Sequence, residues 1–426
     1  METFINNLPF LMETKMKKER IKEIIIDQNN YPKGNFIERE KTKEIIKAKD
    51  TKFIKIISGI RRSGKSTILK QLKEKFDGIY INFDDERFVK FTVEDFQSLY
   101  ELSIELFGED KIFYFDEIQN ITGWERFVRR ISESGENIFI TGSNATMLSK
   151  ELGTHLTGRY IMFKLYPFSF KEYLKFNKIS ILELTTKEKI KIKKQFSNYL
   201  DEGGFPEYLE TKNKDYLRSL YESILYRDVM ARYKLTKERA LRELIYLAAN
   251  SISKEISFNS VKKMIGLGST TTVSDYFSYL ENTYLLFLLP KYNYSLKKQI
   301  QSNKKLYLID SALSKQLGFS FSENKGKLLE NQIFLDLKRK GYELYYFQEK
   351  GECDFIIKEK NKITKAFQVC YNLNDENLER EIKGLTEAMK KFNLKEGKII
   401  TYDNEDEITK DNLKIKVIPA WKWMLE

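Results

Sequence analysis

The segment Gly59-Ile60-Arg61-Arg62-Ser63-Gly64-Lys65-Ser66 has the spacing G-x-x-x-x-G-K-[ST]. It stands between a strand-like apolar run, Phe53 to Ile57, and a helix-like stretch, Thr67 to Phe76. That context separates a phosphate loop from a plain glycine turn. The glycines let backbone N–H groups curl around phosphate oxygens, Lys65 brings a compact charge to the β and γ phosphates, and the Ser66 hydroxyl suits Mg²⁺. The residues expected to cradle ATP are Gly59, Ser63, Gly64, Lys65, Ser66 and Thr67.

A phosphate loop needs a parallel sheet beneath it, and the sequence supplies one. Strand-sized apolar runs at Phe53–Ile57, Ile79–Phe83, Ile112–Phe115 and Ile138–Thr141 alternate with longer amphipathic stretches. The third run ends in Asp116-Glu117. Asp116 is expected to hold Mg²⁺ through water and Glu117 to polarise the attacking water; alone, such a run is also a plain strand end meeting solvent. The fourth run leads to Gly142-Ser143-Asn144, where Asn144 reaches the γ phosphate or lytic water, or caps the next helix.

The length of 426 residues calls for several domains, because single cores stop growing at roughly 250 to 300 residues. Boundaries are expected at 1–50 (an N-terminal helical extension with no core of its own), 51–170 (P-loop ATPase), 171–237 (helical lid), 238–315 (winged helix) and 316–426 (a small α/β unit). The fold class is α/β, a P-loop domain with a parallel sheet followed by those units. One His, His155, removes multi-histidine metal sites, and the two cysteines, Cys353 and Cys370, cannot build a disulfide framework. No apolar run approaches the roughly 18 residues of a membrane span, so a cytoplasmic protein without membrane contact is expected.

Residues 238 to 310 read helix, helix, helix, strand, strand, with Ser269 to Asn282 as the recognition helix. The stretch Lys291–Lys305 is basic and free of acids, and Tyr292 and Tyr294 interleave its lysines. Lys297, Lys298, Lys304 and Lys305 are candidate contacts to a duplex DNA backbone, or part of a solvated hairpin or protein-docking face. The net charge of +12 suits a polyanion without requiring one.

The motifs Gly59 to Thr67, Phe115-Asp116-Glu117-Ile118-Gln119, Ile140 to Asn144, Leu156-Thr157-Gly158-Arg159 and Leu165-Tyr166-Pro167-Phe168-Ser169-Phe170 together resemble the uncharacterised prokaryotic and archaeal ATPases of the AAA+ superfamily. Gly203-Gly204-Phe205-Pro206 and Leu225-Tyr226-Arg227-Asp228-Val229 extend the likeness. The resemblance implies ATP hydrolysis, with Asn144 as a sensor and Arg159 as an arginine finger acting in cis or in trans. A local reading of Arg159 is a salt bridge or carbonyl cap.

The C-terminal unit resembles a PD-(D/E)xK nuclease core: Glu330 on a helix, Asp354 at the head of a strand, and Gln368 with Cys370 on one face of the next. Cys370 stands where that family carries lysine, and Gln368 is a poorer Mg²⁺ ligand than glutamate, so cleavage is not expected. Lys383, on the following helix, is a candidate replacement. The resulting expectation is an ATP-driven switch acting on DNA. Its rivals are a nucleotide-gated scaffold that binds protein or itself, and an ATP-gated metal-dependent nuclease.

Overall fold

The computed structural model describes residues 15–31, 34, 36–144, 158–181, 185–318 and 325–426. His155, Leu156 and Thr157 lie outside them.

The apolar runs form the parallel strands β1 (Ile54–Ser58), β2 (Gly78–Asn82), β3 (Ile112–Asp116), β4 (Ile138–Gly142) and β5 (Tyr160–Lys164), in the order β2-β3-β4-β1-β5. Helices on both faces explain why β1 and β4 are buried along their whole length. The helices are α1 (Lys18–Asn29), α2 (Thr42–Lys47), α3 (Lys65–Lys75), α4 (Phe96–Phe107) and α5 (Trp124–Glu133).

The expectation of no core before Lys52 does not hold. Ile21, Ile24 and Ile25, spaced for one helical face, are fully buried in the same apolar cluster as β2, β3 and α4. Because α1 is polar elsewhere, its average composition hides that stripe.

A helical region follows: α6 (Phe170–Phe176), α7 (Thr186–Glu202), α8 (Pro206–Thr211), α9 (Lys214–Ser223) and a π-helical stretch, Ile224–Ala231. Ser169 and Thr185 start α6 and α7 with reciprocal caps to Glu172 and Glu188. Next come α10 (Glu238–Asn250), β6 (Glu255–Ile256), α11 (Phe258–Ile265), α12 (Thr270–Asn282), β7 (Leu286–Pro290), α13 (Leu296–Gln301) and β8 (Lys304–Leu308). Strands β6, β8 and β7 pair antiparallel in that order. The basic stretch is thus not an open hairpin, since it contains the exposed helix α13.

The rest is α14 (Ser311–Leu317), α15 (Lys325–Arg339), β9 (Glu343–Gln348), β10 (Glu352–Glu359), β11 (Lys362–Cys370), α16 (Asp375–Lys391), β12 (Glu396–Thr401), β13 (Asp406–Lys410), β14 (Leu413–Pro419) and α17 (Ala420–Trp423). The sheet order is β13-β14-β12-β11-β10-β9. Strands β9 to β11 form an antiparallel meander, and β12 lies parallel to β11. One continuous apolar cluster runs from Tyr166 through the helical region to Trp423, so these units pack as one body.

Candidate nucleotide site

The loop after β1 delivers Lys65 to the sheet's C-terminal edge, where β3 ends in Asp116. Two glycines are required by geometry. A Cβ on Gly59 would lie 2.0 Å from the Leu165 carbonyl oxygen, and Gly64 adopts φ +96°. Lys65 Nζ donates to the Ile60 carbonyl at 3.2 Å and lies 3.3 Å from Glu117 Oε1.

Asp116 is buried and accepts from Tyr80 Oη at 2.6 Å, from Thr141 Oγ1 and from Ser66. Burial and the neighbouring Glu117 charge push its carboxyl up, against those three donors. A cation beside Ser66 and Asp116 would relieve that penalty. Burial works the same way on Glu117, but Lys65 and Arg61 outweigh it and hold that carboxyl below its usual range. Glu117 also sits in the left-handed region at φ 51°, with its N–H donating to Thr141 Oγ1 at 2.9 Å. Two adjacent acids thus have opposite tendencies, one suited to gaining a cation and one kept ionised.

The cavity over this edge measures about 650 Å³ and is lined by Lys65, Ser66, Thr67, Asp116 and Glu117, with Phe36, Ile37 and Phe168 as apolar walls. The buried Ser63 Oγ has no hydrogen-bond partner among the described residues. A curled loop with an unmet hydroxyl, an ammonium and a Ser/Asp pair fits a nucleotide phosphate with Mg²⁺.

Asn144 is buried at the same edge, where its Nδ2 reaches Tyr233 Oη at 3.5 Å. Arg159 is elsewhere. Its carbonyl accepts from Ile54 N–H at the start of β1, and β1 and β5 run parallel, so it lies roughly 16 Å of strand away from the loop. It pairs with Glu133. At the start of β5 it stands at the opposite end of the strands from Lys65 and Glu117.

The paired arginines face the helical region. Arg61 makes a two-pronged bond to Asp228 of the π-helical stretch, both contacts at 3.0 Å. Arg62 reaches Glu207 at 3.2 Å and lies over the Tyr216 ring. Tyr284, left-handed at φ 63°, donates its hydroxyl to Ser58 Oγ at 2.8 Å, one residue before the loop. Sequence reasoning missed Arg39, Tyr80, Thr141, Asp228, Tyr233 and Tyr284. The signals present were the motifs that contain Thr141 and Asp228, and the arginine pair, which needed acids to face.

At the C-terminal site, Lys305 Nζ lies 3.2 Å from Glu330, 2.6 Å from Glu352 and 2.7 Å from Asp354. Its side chain is 2% exposed, which corrects its reading as a DNA contact. Lys304 is also committed, to the carbonyls of Gln299, Ile300 and Ser302 at the end of α13, while Lys297 and Lys298 are exposed. Tyr307 Oη donates to Glu330 at 2.7 Å. Gln368 accepts from the Asp354 N–H at 3.3 Å and donates to Glu381 at 2.9 Å, and Cys370 turns toward Asn372 and Asn377. Glu330 and Asp354 thus meet at Lys305, the side chain of Gln368 accepts from the Asp354 backbone, and Cys370 has its hydrogen-bond contacts at Asn372 and Asn377. The lysine present is Lys305 from β8, whereas Lys383 is exposed. Among the described residues no group of three or more His, Cys, Asp or Glu is arranged to hold a metal ion.

Residues 51–174, which hold this parallel sheet, loop and acid pair, match the family model described as an AAA domain. Residues 193–324 match one described as a domain of unknown function. The chain is 37% identical over 433 residues to the uncharacterized protein MJ1544 of Methanocaldococcus jannaschii, covering 96% of each chain. It is 30% identical over 354 residues to an uncharacterized protein of Haemophilus influenzae, covering 78% of this chain and 87% of that one. It belongs to the family of these proteins. Among solved structures, the Walker-type ATPase PABY2304 of Pyrococcus abyssi aligns with 66% of this chain and 96% of its own at 15% identity and a TM-score of 0.45. Among the described residues no helix is long and apolar enough to cross a membrane.

Proposed function

We propose that the protein hydrolyses ATP and uses the cycle to move its helical region and the unit bearing α12. The observation that carries this is the double engagement of the phosphate loop: Lys65, Ser66, Arg61 and Arg62 line the cavity, and the two arginines also bind Asp228 and Glu207 of the helical region. In this reading Lys65 orients the phosphates, Glu117 takes the proton of the attacking water, and Asn144 holds that water or the γ phosphate. Ser66 and Asp116 would hold Mg²⁺, which supplies charge neutralisation when bound. Arg159, exposed and remote, serves this chemistry only through another subunit's site.

The order from α10 to β8, with α12 as recognition helix, supports a winged helix. Exposed Thr271 and Ser274 on α12, with Lys297 and Lys298 on α13, favour duplex DNA as its partner. The apolar Tyr294, Leu296 and Ile300, each at least two-thirds exposed, favour a protein partner for α13 instead. The run α15, β9–β11, α16, β12 supports a nuclease-like core in which Lys305 takes the place of a cation, leaving it inactive.

ATP turnover with and without duplex DNA, alongside plasmid cleavage in Mg²⁺ or Mn²⁺, tests the set. The proposal expects turnover that responds to DNA and no cleavage. Turnover indifferent to DNA favours the protein-binding reading, and metal-dependent cutting lost in Asp354→Ala favours the nuclease.

A further inference from the structure

The phosphate loop is anchored by a residue outside its motif. Arg39, in the segment ahead of α2, has a side chain only 4% exposed. Its Nη1 donates to the Ser63 carbonyl at 2.6 Å, Nη2 to the Tyr166 carbonyl at 2.6 Å, and Nε to Glu172 Oε1 at 2.9 Å. The guanidinium carbon lies 4.9 Å from the centre of the Phe168 ring. Glu172 is fixed in turn by the N–H groups of Ser169, at 2.9 Å, and Glu40, at 2.8 Å. A planar fork serving three acceptors cannot be replaced by a single ammonium.

The Ser63 carbonyl matters because it shares a peptide plane with the Gly64 N–H. In a trans peptide the carbonyl and the next N–H point opposite ways, and no cis bond occurs among the described residues. Holding the Ser63 oxygen against Arg39 therefore turns the Gly64 N–H the other way. Amides in such a loop must converge on the anion to bind it. Gly64 itself fits the anchor, since a Cβ there would lie 3.2 Å from Arg39 Nη1.

We propose that Arg39 is a positioning residue for nucleotide binding: it fixes the Ser63–Gly64 peptide with its N–H toward the phosphates and ties it to the segment Tyr166–Glu172. The ligand class is a nucleoside di- or triphosphate, recognised here through its phosphates, so the inference rests on the ATP reading. The amide meets the phosphate before and during reaction alike, so its loss acts on binding rather than on turnover.

The experiment measures Kd for a fluorescent ATP analogue, with KM and kcat for ATP, in wild type, Arg39→Lys and Arg39→Met. Both Arg39 variants are expected to raise Kd and KM about tenfold or more with kcat within about threefold. If Arg39→Met does not fold, Arg39→Lys carries the test, because it keeps a charge and loses the fork. Wild-type Kd in the folded Arg39 variants overturns the proposal. So does a fall in kcat at unchanged KM, the mark of a smaller folded fraction. A wild type that binds no ATP analogue would overturn the nucleotide reading itself.

Discussion

Glu281 shows how one buried carboxyl sets a pH dependence away from the nucleotide site. It lies on α12 and accepts the Leu288 N–H of β7 at 2.8 Å. Burial pushes it up from 4.5 to about 7, against that hydrogen bond and the charges of Lys338 and Lys304. The native state therefore holds a proton that the unfolded chain has released. The stability this contributes is complete below about pH 4.5 and is lost as pH rises through about 7. Glu281→Gln keeps an oxygen for Leu288 and removes the titration. Its denaturation midpoint should fall less than that of wild type across this interval, and parallel curves would show that Glu281 does not titrate there. The acid pair at 116–117 was legible at the same scale, because its chemistry depends on neighbours in sequence. Arg39 was not, since its contacts to Ser63 and Glu172 span 24 and 133 residues.

At the scale of elements, Lys305 joins β8 to the carboxylates of α15 and β10. Removing one partner of a buried ionic group strands the others, so Lys305→Met should destabilise the protein by roughly 3–5 kcal/mol, measured by denaturant unfolding. A loss below about 1 kcal/mol would place the carboxylates in water instead. The strands of the ATPase sheet could be read because each is a short apolar run between polar breaks. Lys305 was misread because it sits at the end of a basic run, which looks like surface until β8 is placed between β6 and β7. The stripe on α1 was present at helical spacing but diluted by charged neighbours.

Across the whole molecule, the nucleotide edge is tied to distant units at several points. Arg61 binds Asp228, Tyr284 binds Ser58, and Tyr233 receives Asn144 from the sheet and Asn282 from α12 while stacking on Tyr279. None of these pairings could be read from sequence, because each joins separately recognisable segments through their fold. If they transmit the cycle, Asp228→Asn should leave ATP binding within about threefold yet reduce the change in hydrogen exchange that an ATP analogue causes in α12. An unchanged α12 response would assign Asp228 to packing alone.

If Lys65, Asp116 and Glu117 form a working ATPase centre, then Glu117→Gln must separate nucleotide affinity from turnover when both are measured on the same protein. The neutral amide keeps the side chain's shape and loses its capacity to take a proton from water. Analogue binding is expected within about threefold of wild type, with turnover slowed by roughly 10² or more. Turnover within a few-fold of wild type, with binding intact, would show that the water is activated elsewhere and that these three residues are not the centre.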